Sequence, residues 1–414
     1  MSHKICGVHK SILIIYGINY KNTPISWREI VYRELERLRL SNALNGLRFG
    51  RARAFITTCH RIEVVSLMPP DDKGAAVEGT RANFLGPDHY IRMGRDAVAH
   101  ILRLAAGLES AVPFENQIAK QVSEAEVSGE GRCSSILRGM LISAADLARR
   151  IRSLIGAPYR SLGMLAGELA LDRLGDGSRV LLIGSGTMVR DVGSVLRSSG
   201  RNLRVYVLTD RKALDGPLSD ASRLSYEEIC RSEREVQGFE AVISATKRSL
   251  NNEYLEKIFA GRYPQLVIDL SFPRSLDPLY VSERSEEYLD VDTLGMIAEK
   301  KYSLTEEELI TANSIVNASV EVIYRHVASE VLAEEVVREI RLNAGRIVEE
   351  EARNALNYLD SGVDPAFVVR KSLERLVNRM LHATCESTRS MAEGGVDERL
   401  LMFLKDAFVG GDSR

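Results

Sequence analysis

Thiols are scarce in this sequence, and their scarcity is the first constraint. The five cysteines among 414 residues, Cys6, Cys59, Cys133, Cys230 and Cys385, are odd in number and far apart. That pattern fits neither a disulfide framework nor a Cys-x-x-Cys zinc site, so no metal is expected. Long hydrophobic runs are also missing: nothing approaches the roughly 20 apolar residues of a membrane helix, so no transmembrane span is expected. The stretch from Met1 to Cys6 does not open an apolar segment ending in small cleavage-site residues. A cytoplasmic location is expected on that ground. Charge of one sign is absent too. With 55 basic against 57 acidic residues the net charge is −2, so a nucleic-acid partner needs a local basic face. Arg48, Arg51 and Arg53, and Arg149, Arg150 and Arg152, are candidates for such faces.

What the sequence does have is length and pattern. A chain of 414 residues exceeds one hydrophobic core, so a multidomain protein is expected. Residues 1–160 mix strand and helix. Ser11 to Asn19, Ala52 to Ile56 and Ile62 to Leu67 read as strands, and Ser26 to Leu38, Asp96 to Leu108 and Gln117 to Ile155 as mostly helical, around an interruption at Pro69, Pro70 and Gly74. This predicts an α+β domain. Residues 161–295 follow a βα rhythm: a linking helix, then apolar strands at Arg179 to Ile183, Leu203 to Leu208, Ala241 to Ser244 and Leu266 to Leu270. The spacing predicts a Rossmann-like doubly wound sheet. Residues 296–414 have few breakers. Ser303-Leu-Thr305 followed by Glu306 and Glu308 reads as a capping box, and helical periodicity runs past Tyr358. Further amphipathic stretches at Phe367 to Ala383 and Glu398 to Phe408 predict a helical association module.

Two short segments carry chemistry. Gly184-Ser185-Gly186-Thr187-Met188-Val189 follows a buried strand and opens a helix, so its amides can meet a pyrophosphate. Val189 stands where the third fingerprint glycine normally lets helix and strand approach closely. At the end of the next strand, Asp210 suits an NAD ribose hydroxyl, whereas Arg211 and Lys212 suit the 2′-phosphate of NADP; two cationic donors favour NADP. The second segment is Thr57-Thr58-Cys59-His60-Arg61-Ile62-Glu63, in a turn between two strands. A thiol flanked by His60 and Arg61 is a candidate nucleophile, with the neighbouring cations favouring its thiolate. Spacing equally allows His60 on the surface and Arg61 as the ion-pair partner of Glu63. His100 lies on an otherwise apolar helix, where a histidine is usually a hydrogen-bonded core residue.

Together these segments resemble glutamyl-tRNA reductase over nearly the whole chain. The matching stretches are Gly17 to Ile25, Thr57 to Glu63, Gly107-Leu-Glu-Ser110 through Glu115-Asn-Gln117-Ile, Ile183 to Met188, Ser244-Ala-Thr246, Ile268 to Arg274 with Asp277-Pro278, and Leu376 to His382. The resemblance implies that Cys59 takes glutamate from its tRNA as a thioester and that NADPH reduces it to glutamate-1-semialdehyde, the first step of tetrapyrrole synthesis by the five-carbon pathway. It implies that Arg61 clamps the substrate carboxylate, that Thr58, Ser110, Glu115 and Gln117 bind substrate, and that His100 assists acyl transfer. It further implies cofactor contacts from Gly184 to Met188, Arg211, Lys212 and Thr246, a homodimer through the C-terminal helices, and transient contact with glutamate-1-semialdehyde aminomutase. The chain departs from the family at Tyr20 (His there), His60 (Asn), Pro113-Phe114 (Leu-Gly), Asn116 (Pro) and Val189, and in the linker from Arg160 to Met164. Several of these positions are expected around the substrate site. A shikimate-dehydrogenase-like oxidoreductase and a non-catalytic NADP- and tRNA-binding partner are the other readings.

Overall fold

The computed structural model describes residues 13–40, 50–68, 85–86, 88–129, 131–231, 238–260, 262–393 and 402–403. The residues expected to start the first strand, Arg48, the interruption from Pro69 to Gly74 and most of the helix expected at 398–408 lie outside them. The chain forms two compact units, Met1–Leu332 and Ala333–Arg414.

The first unit holds two sheets. Strands β1 (Leu13–Asn19), β2 (Ala52–Thr58), β3 (Arg61–Leu67), β4 (Tyr90–Met93) and β5 (Glu126–Gly129) make an antiparallel sheet in the order β4-β1-β3-β2-β5. The apolar runs of β1 and β3 are buried along nearly their whole length, whereas β2 alternates buried and half-buried residues, one face of its side chains on each side of the pleat. One face packs helix α1 (Ile25–Leu40) through Val31 and Leu35. The other packs α2 (Gly94–Ala105), α3 (Asn116–Ser123) and α4 (Cys133–Ile155). The helix expected over Gln117 to Ile155 is thus interrupted by β5, whose pairing to β2 is set by tertiary contact rather than by local pattern.

Helix α5 (Leu162–Leu171) leads into β6 (Arg179–Ile183), followed by α6 (Thr187–Ser198), β7 (Arg204–Leu208), β8 (Ser222–Leu224), α7 (Tyr226–Arg231), β9 (Ala241–Ser244), α8 (Asn252–Phe259), β10 (Leu266–Asp269), α9 (Pro278–Ser282), β11 (Glu287–Asp290) and α10 (Val291–Lys301). The six strands pair in parallel in the order β11-β10-β9-β6-β7-β8. The chain reverses direction across the sheet between β6 and β9, which is the switch point where doubly wound folds open a ligand crevice. Val189 occupies the third glycine position of the fingerprint, with Cγ2 3.5 Å from where a Cβ on Gly184 would stand. It is fully buried among the apolar residues beneath α6. Close packing is supplied instead by α5: a Cβ on Gly163 would lie 2.5 Å from the Met188 carbonyl oxygen, and one on Gly167 2.8 Å from Val195.

Helix α11 (Glu306–Asp360) starts with the expected capping box: the Thr305 amide donates to Glu308 Oε2 at 2.8 Å and the Glu308 amide to Thr305 Oγ1 at 3.2 Å. Its first turns add Ala312, Val316 and Val327 to the core of the antiparallel sheet. The second unit contains the rest of α11 and α12 (Pro365–Glu393), joined by ion pairs from Arg379 to Glu350 and Glu351. Ile340, Leu342, Leu356, Phe367 and Leu373 are exposed on these helices. No described helix is long and apolar enough to cross a membrane.

Candidate active site

Pairing of Thr58 with Arg61 leaves Cys59 and His60 as a two-residue turn between β2 and β3. Phe114 is the only described non-glycine residue with positive φ, so the turn is not one of the primed types whose twist suits a hairpin. It is held from outside. Thr58 Oγ1 accepts the His60 amide at 3.2 Å. The buried Arg28 of α1 donates to the Cys59 carbonyl at 2.5 Å and pairs with Asp292 of α10. His60 donates from Nε2 to the Val291 carbonyl at 2.8 Å, stacks near the Tyr20 ring at 4.6 Å, and comes so close to Gly295 that a Cβ there would lie 2.9 Å from Nε2. Tyr20 in turn donates to Glu299 of α10. The departures at positions 20 and 60 therefore meet each other on α10 at the seam between the two sheets' layers.

Cys59 is half-buried and lines a cleft of about 510 Å³. Around it stand Tyr32, Glu36 and Arg39 of α1, Thr57 and Thr58 of β2, Gln121 of α3 and, from the other layer, Met188, Lys247, Leu270 and Phe272. Burial pushes the Cys59 thiol up to about 12, Glu115 adds to the rise, and Arg28 opposes it. Burial thus works against the thiolate expected from neighbouring cations, and Arg61 is turned elsewhere.

Arg61 is buried, paired with Glu63 at 3.1 Å and bonded to the Glu109 carbonyl. Its position therefore matches the simple ion-pair reading, and it is not among the cleft-lining residues. His100 places Nε2 2.8 Å from Glu63 and Nδ1 3.3 Å from Glu109, and Tyr90 donates to the same Glu63 oxygen at 2.5 Å. Burial works against the imidazolium, yet Glu63 and Glu109 hold it at about 9. Burial likewise opposes the Glu63 charge, but His100, Arg61 and Tyr90 bring that carboxyl down to about 2. Both ring nitrogens are engaged with carboxylates. In this arrangement His100 has no nitrogen free to take a thiol proton, and it acts as a charged tie between α2, β3 and the loop after α2.

That loop runs from Gly107 to Glu115. A Cβ on Gly107, whose φ is +75°, would lie 2.8 Å from the Phe114 amide nitrogen, so only glycine allows this close return. Phe114 itself takes φ 60°. A side chain in the left-handed region costs about 1–2 kcal/mol. Phe114 is nearly fully buried in the core beneath, and that burial offsets the cost. Glu115 follows, buried, with burial and the nearby Asp191 raising its carboxyl to about 8. Arg152 donates to the Glu115 carbonyl at 3.3 Å, so this member of the basic cluster on α4 is turned inward. Ser110 is half-buried, its amide donating to Gly107 at 3.4 Å, and it is absent from the cleft lining.

The second cleft, about 540 Å³, lies at the switch point. Gly184 to Met188, Thr209 to Arg211, Thr246 and Gln117 line it, so Gln117 faces this cleft rather than the thiol. Gly184 has φ +108°, and a Cβ there would lie 2.4 Å from the Ala245 carbonyl oxygen. Gly186 caps α6 without any side-chain bond, and a Cβ on it would meet open space. A small turn with bare amides at a helix N-terminus fits a pyrophosphate. Arg211 lines the cleft; Lys212 is exposed and does not. Asp210 is drawn to Arg248 at 3.6 Å. Sequence reasoning missed Lys247, Leu270 and Phe272, which belong to both clefts. Their signal is positional: each lies just beyond the C-terminal end of β9 or β10, where such folds bind ligands. Among the described residues Lys247 pairs with no carboxylate.

Residues 16–155 match the family model described as the glutamyl-tRNA(Glu) reductase N-terminal domain, and residues 311–409 the one described as its dimerisation domain. The chain is 26% identical over 428 residues to the glutamyl-tRNA reductase of Synechococcus sp. (strain JA-3-3Ab), covering 96% of each. It is 29% identical over 408 residues to that of Marinomonas sp. (strain MWYL1), covering 93% of this chain and 94% of the relative. A solved structure, glutamyl-tRNA reductase from Methanopyrus kandleri, aligns with a TM-score of 0.43 at 20% identity, covering 92% of this chain and 99% of that one. With two family models that span more than half of the chain and full-length relatives of the same name, the chain belongs to the glutamyl-tRNA reductase family.

Proposed function

We propose that this chain is an NADPH-dependent reductase that converts glutamyl-tRNA(Glu) to glutamate-1-semialdehyde through a thioester on Cys59, opening the five-carbon route to tetrapyrroles. The observation that carries the reading is the common wall of the two clefts: Met188, Lys247, Leu270 and Phe272 border both the thiol and the dinucleotide turn. A captured acyl group on Cys59 therefore lies beside the place where a nicotinamide would reach. In a shikimate-dehydrogenase-like enzyme, the thiol cleft would have no use.

In the first step the Cys59 sulfur forms a bond to the ester carbonyl carbon, the ester C–O bond breaks, and the tRNA hydroxyl leaves with a proton. The thiol must lose its own proton on attack. Glu115 is the carboxyl whose charge acts most strongly on it, and, with its carboxyl raised to about 8, it serves as the acceptor in its ionised form. With Arg61 engaged by Glu63, Lys247 is the cation available on the shared wall for the substrate carboxylate. Gly184, Ser185, Gly186, Thr187 and Met188 would hold the pyrophosphate, with Thr246 beside them and Arg211 at the 2′-phosphate. A dinucleotide held there would supply the hydride that reduces the thioester to the aldehyde, and Cys59 would leave as the thiolate and take back a proton from Glu115.

Residues 1–160, 161–295 and 296–414 then serve catalysis, cofactor binding and dimerisation. The exposed apolar side chains of α11 and α12 and the matched dimerisation model support a homodimer. The labile aldehyde product supports transient contact with the aminomutase that consumes it. Incubation with glutamyl-tRNA and NADPH should yield the aldehyde, and Cys59→Ser should reduce its formation by about 10³-fold or more. Undiminished turnover by that variant would remove the thioester from the mechanism.

A further inference from the structure

Arg28 is 0% exposed. A guanidinium is expensive to bury unless its N–H groups find acceptors. Here they find three from separate parts of the chain. Nε donates to the Thr23 carbonyl at 3.3 Å, Nη1 to the carbonyl of Cys59 at 2.5 Å, and Nη2 pairs with Asp292 at the start of α10. The guanidinium also lies 5.4 Å from the centre of the Phe272 ring, which walls both clefts.

Beside this contact stands a second one. Two successive turn residues, Cys59 and His60, are engaged with two successive residues of α10: Cys59 through Arg28 to Asp292, and His60 directly to the Val291 carbonyl. Next to Arg28, Glu29 accepts from the Arg274 amide at 2.7 Å and its guanidinium at 3.0 and 2.9 Å, tying α1 to the loop after β10. A turn that is not of a primed type is thus fixed by groups of the cofactor-binding layer.

We propose that Arg28 is a positioning residue: it fixes the Cys59–His60 peptide against α10, so that presentation of the thiol is coupled to the placement of the cofactor-binding layer. The inference rests on Cys59 being the nucleophile, and Arg28 acts through it without touching substrate. It follows that NADPH, by binding to the layer that holds Asp292 and Val291, changes how Cys59 reacts even when no tRNA is present.

The test uses the full chain with Arg28→Met, Arg28→Lys and Asp292→Asn. Alkylation of Cys59 by iodoacetamide, followed by mass spectrometry, should respond several-fold to saturating NADPH in the wild type and lose that response in Arg28→Met. In turnover, Arg28→Met should lower kcat by about 100-fold, the cost of a small misplacement of a reacting group, while its KM for NADPH stays within about twofold of wild type. Arg28→Lys, which keeps the charge, should recover part of both signals. Should Arg28→Met fail to fold, Asp292→Asn carries the same expectation at a smaller size. Wild-type alkylation indifferent to NADPH, or variants that retain both the response and kcat, would overturn the proposal. Because alkylation needs no tRNA, a wild type that makes no aldehyde but shows the NADPH response and its loss would sink the reductase reading and leave the latch standing.

Discussion

At the dinucleotide turn the geometry is carried by main chain: two glycines, a helix N-terminus without a side-chain cap, and amides facing a crevice set by strand order. At the thiol turn it is carried by buried and half-buried side chains: Arg28 bonds Cys59 and Asp292, while Arg61, Glu63, His100 and Glu109 bond one another, through contacts that reach across 2 to 264 positions of sequence. The first kind of site needs small residues in a row. The second needs a complete set of charges, and loses its shape when one is removed. Truncating side chains should therefore damage the thiol region far more than the dinucleotide turn.

The largest effect is expected at Glu63, which is fully buried and bonded to Arg61, Tyr90 and His100. Glu63→Ala should destabilise the protein by about 3–5 kcal/mol because it strands two buried cations. Ser185→Ala on the other turn should cost less than about 0.5 kcal/mol. The pH dependence follows from the shifts. Glu63 and Glu109 fall from 4.5 to about 2, so their contribution is present above about pH 4.5 and lost as pH drops toward 2. His100 rises from 6.5 to about 9, so its contribution is present below 6.5 and lost as pH rises through 9. Denaturant melts across pH should give the widest gap between wild type and Glu63→Ala between those limits. Equal losses for Glu63→Ala and Ser185→Ala would erase the contrast between the two turns.

The same contrast explains how much could be read in advance. The β6 run, the Gly184-Ser-Gly186 turn and the Thr305–Glu308 box are local patterns, and each lies where periodicity put it. Edge strands β4, β5, β8 and β11 have three or four residues each, too few to show a period, and their existence depends on the neighbour they pair with. Among site residues, Cys59 and the glycines were legible because chemistry or turn geometry limits them to few residue types. Arg61 was legible as a cation with two open partners, the substrate carboxylate and Glu63, since adjacency in sequence to Cys59 says nothing about which way a guanidinium turns. Arg28 offered no signal, because its acceptors at Cys59 and Asp292 become neighbours only after both layers fold.

Glu115 gives a finer probe with the opposite sign. Its carboxyl moves from 4.5 up to about 8 through burial and the charge of Asp191, so the folded state favours the protonated form. Its contribution is present below about pH 4.5 and lost as pH rises through 8. Glu115→Gln should therefore stabilise the protein by about 2 kcal/mol at pH 8 and by little at pH 5, while acylation of Cys59 slows. Thermal melts at the two values measure the first effect and single-turnover acylation the second. A stability change independent of pH would mean that Glu115 is already ionised in the folded state.

The smallest effect belongs to the dinucleotide side and separates two cations that sequence treats alike. Arg211 borders the cleft beside Thr209 and Asp210, whereas the next residue, Lys212, is exposed and outside it. Asp210, the group that would favour a ribose hydroxyl, is drawn toward Arg248. Among the described residues Arg211 pairs with no carboxylate, and in the proposed NADPH complex it would meet the 2′-phosphate. Losing one charge-assisted interaction of about 1.5 kcal/mol should raise the Kd for NADPH about tenfold in Arg211→Ala. Lys212→Ala, which removes only a screened surface charge, should stay within about twofold. Fluorescence titration with NADPH and NADH in parallel reads both. The Arg211 loss should vanish for NADH, which lacks the phosphate; a loss of equal size for both dinucleotides would move Arg211 from the 2′-phosphate to the part of the cofactor that they share.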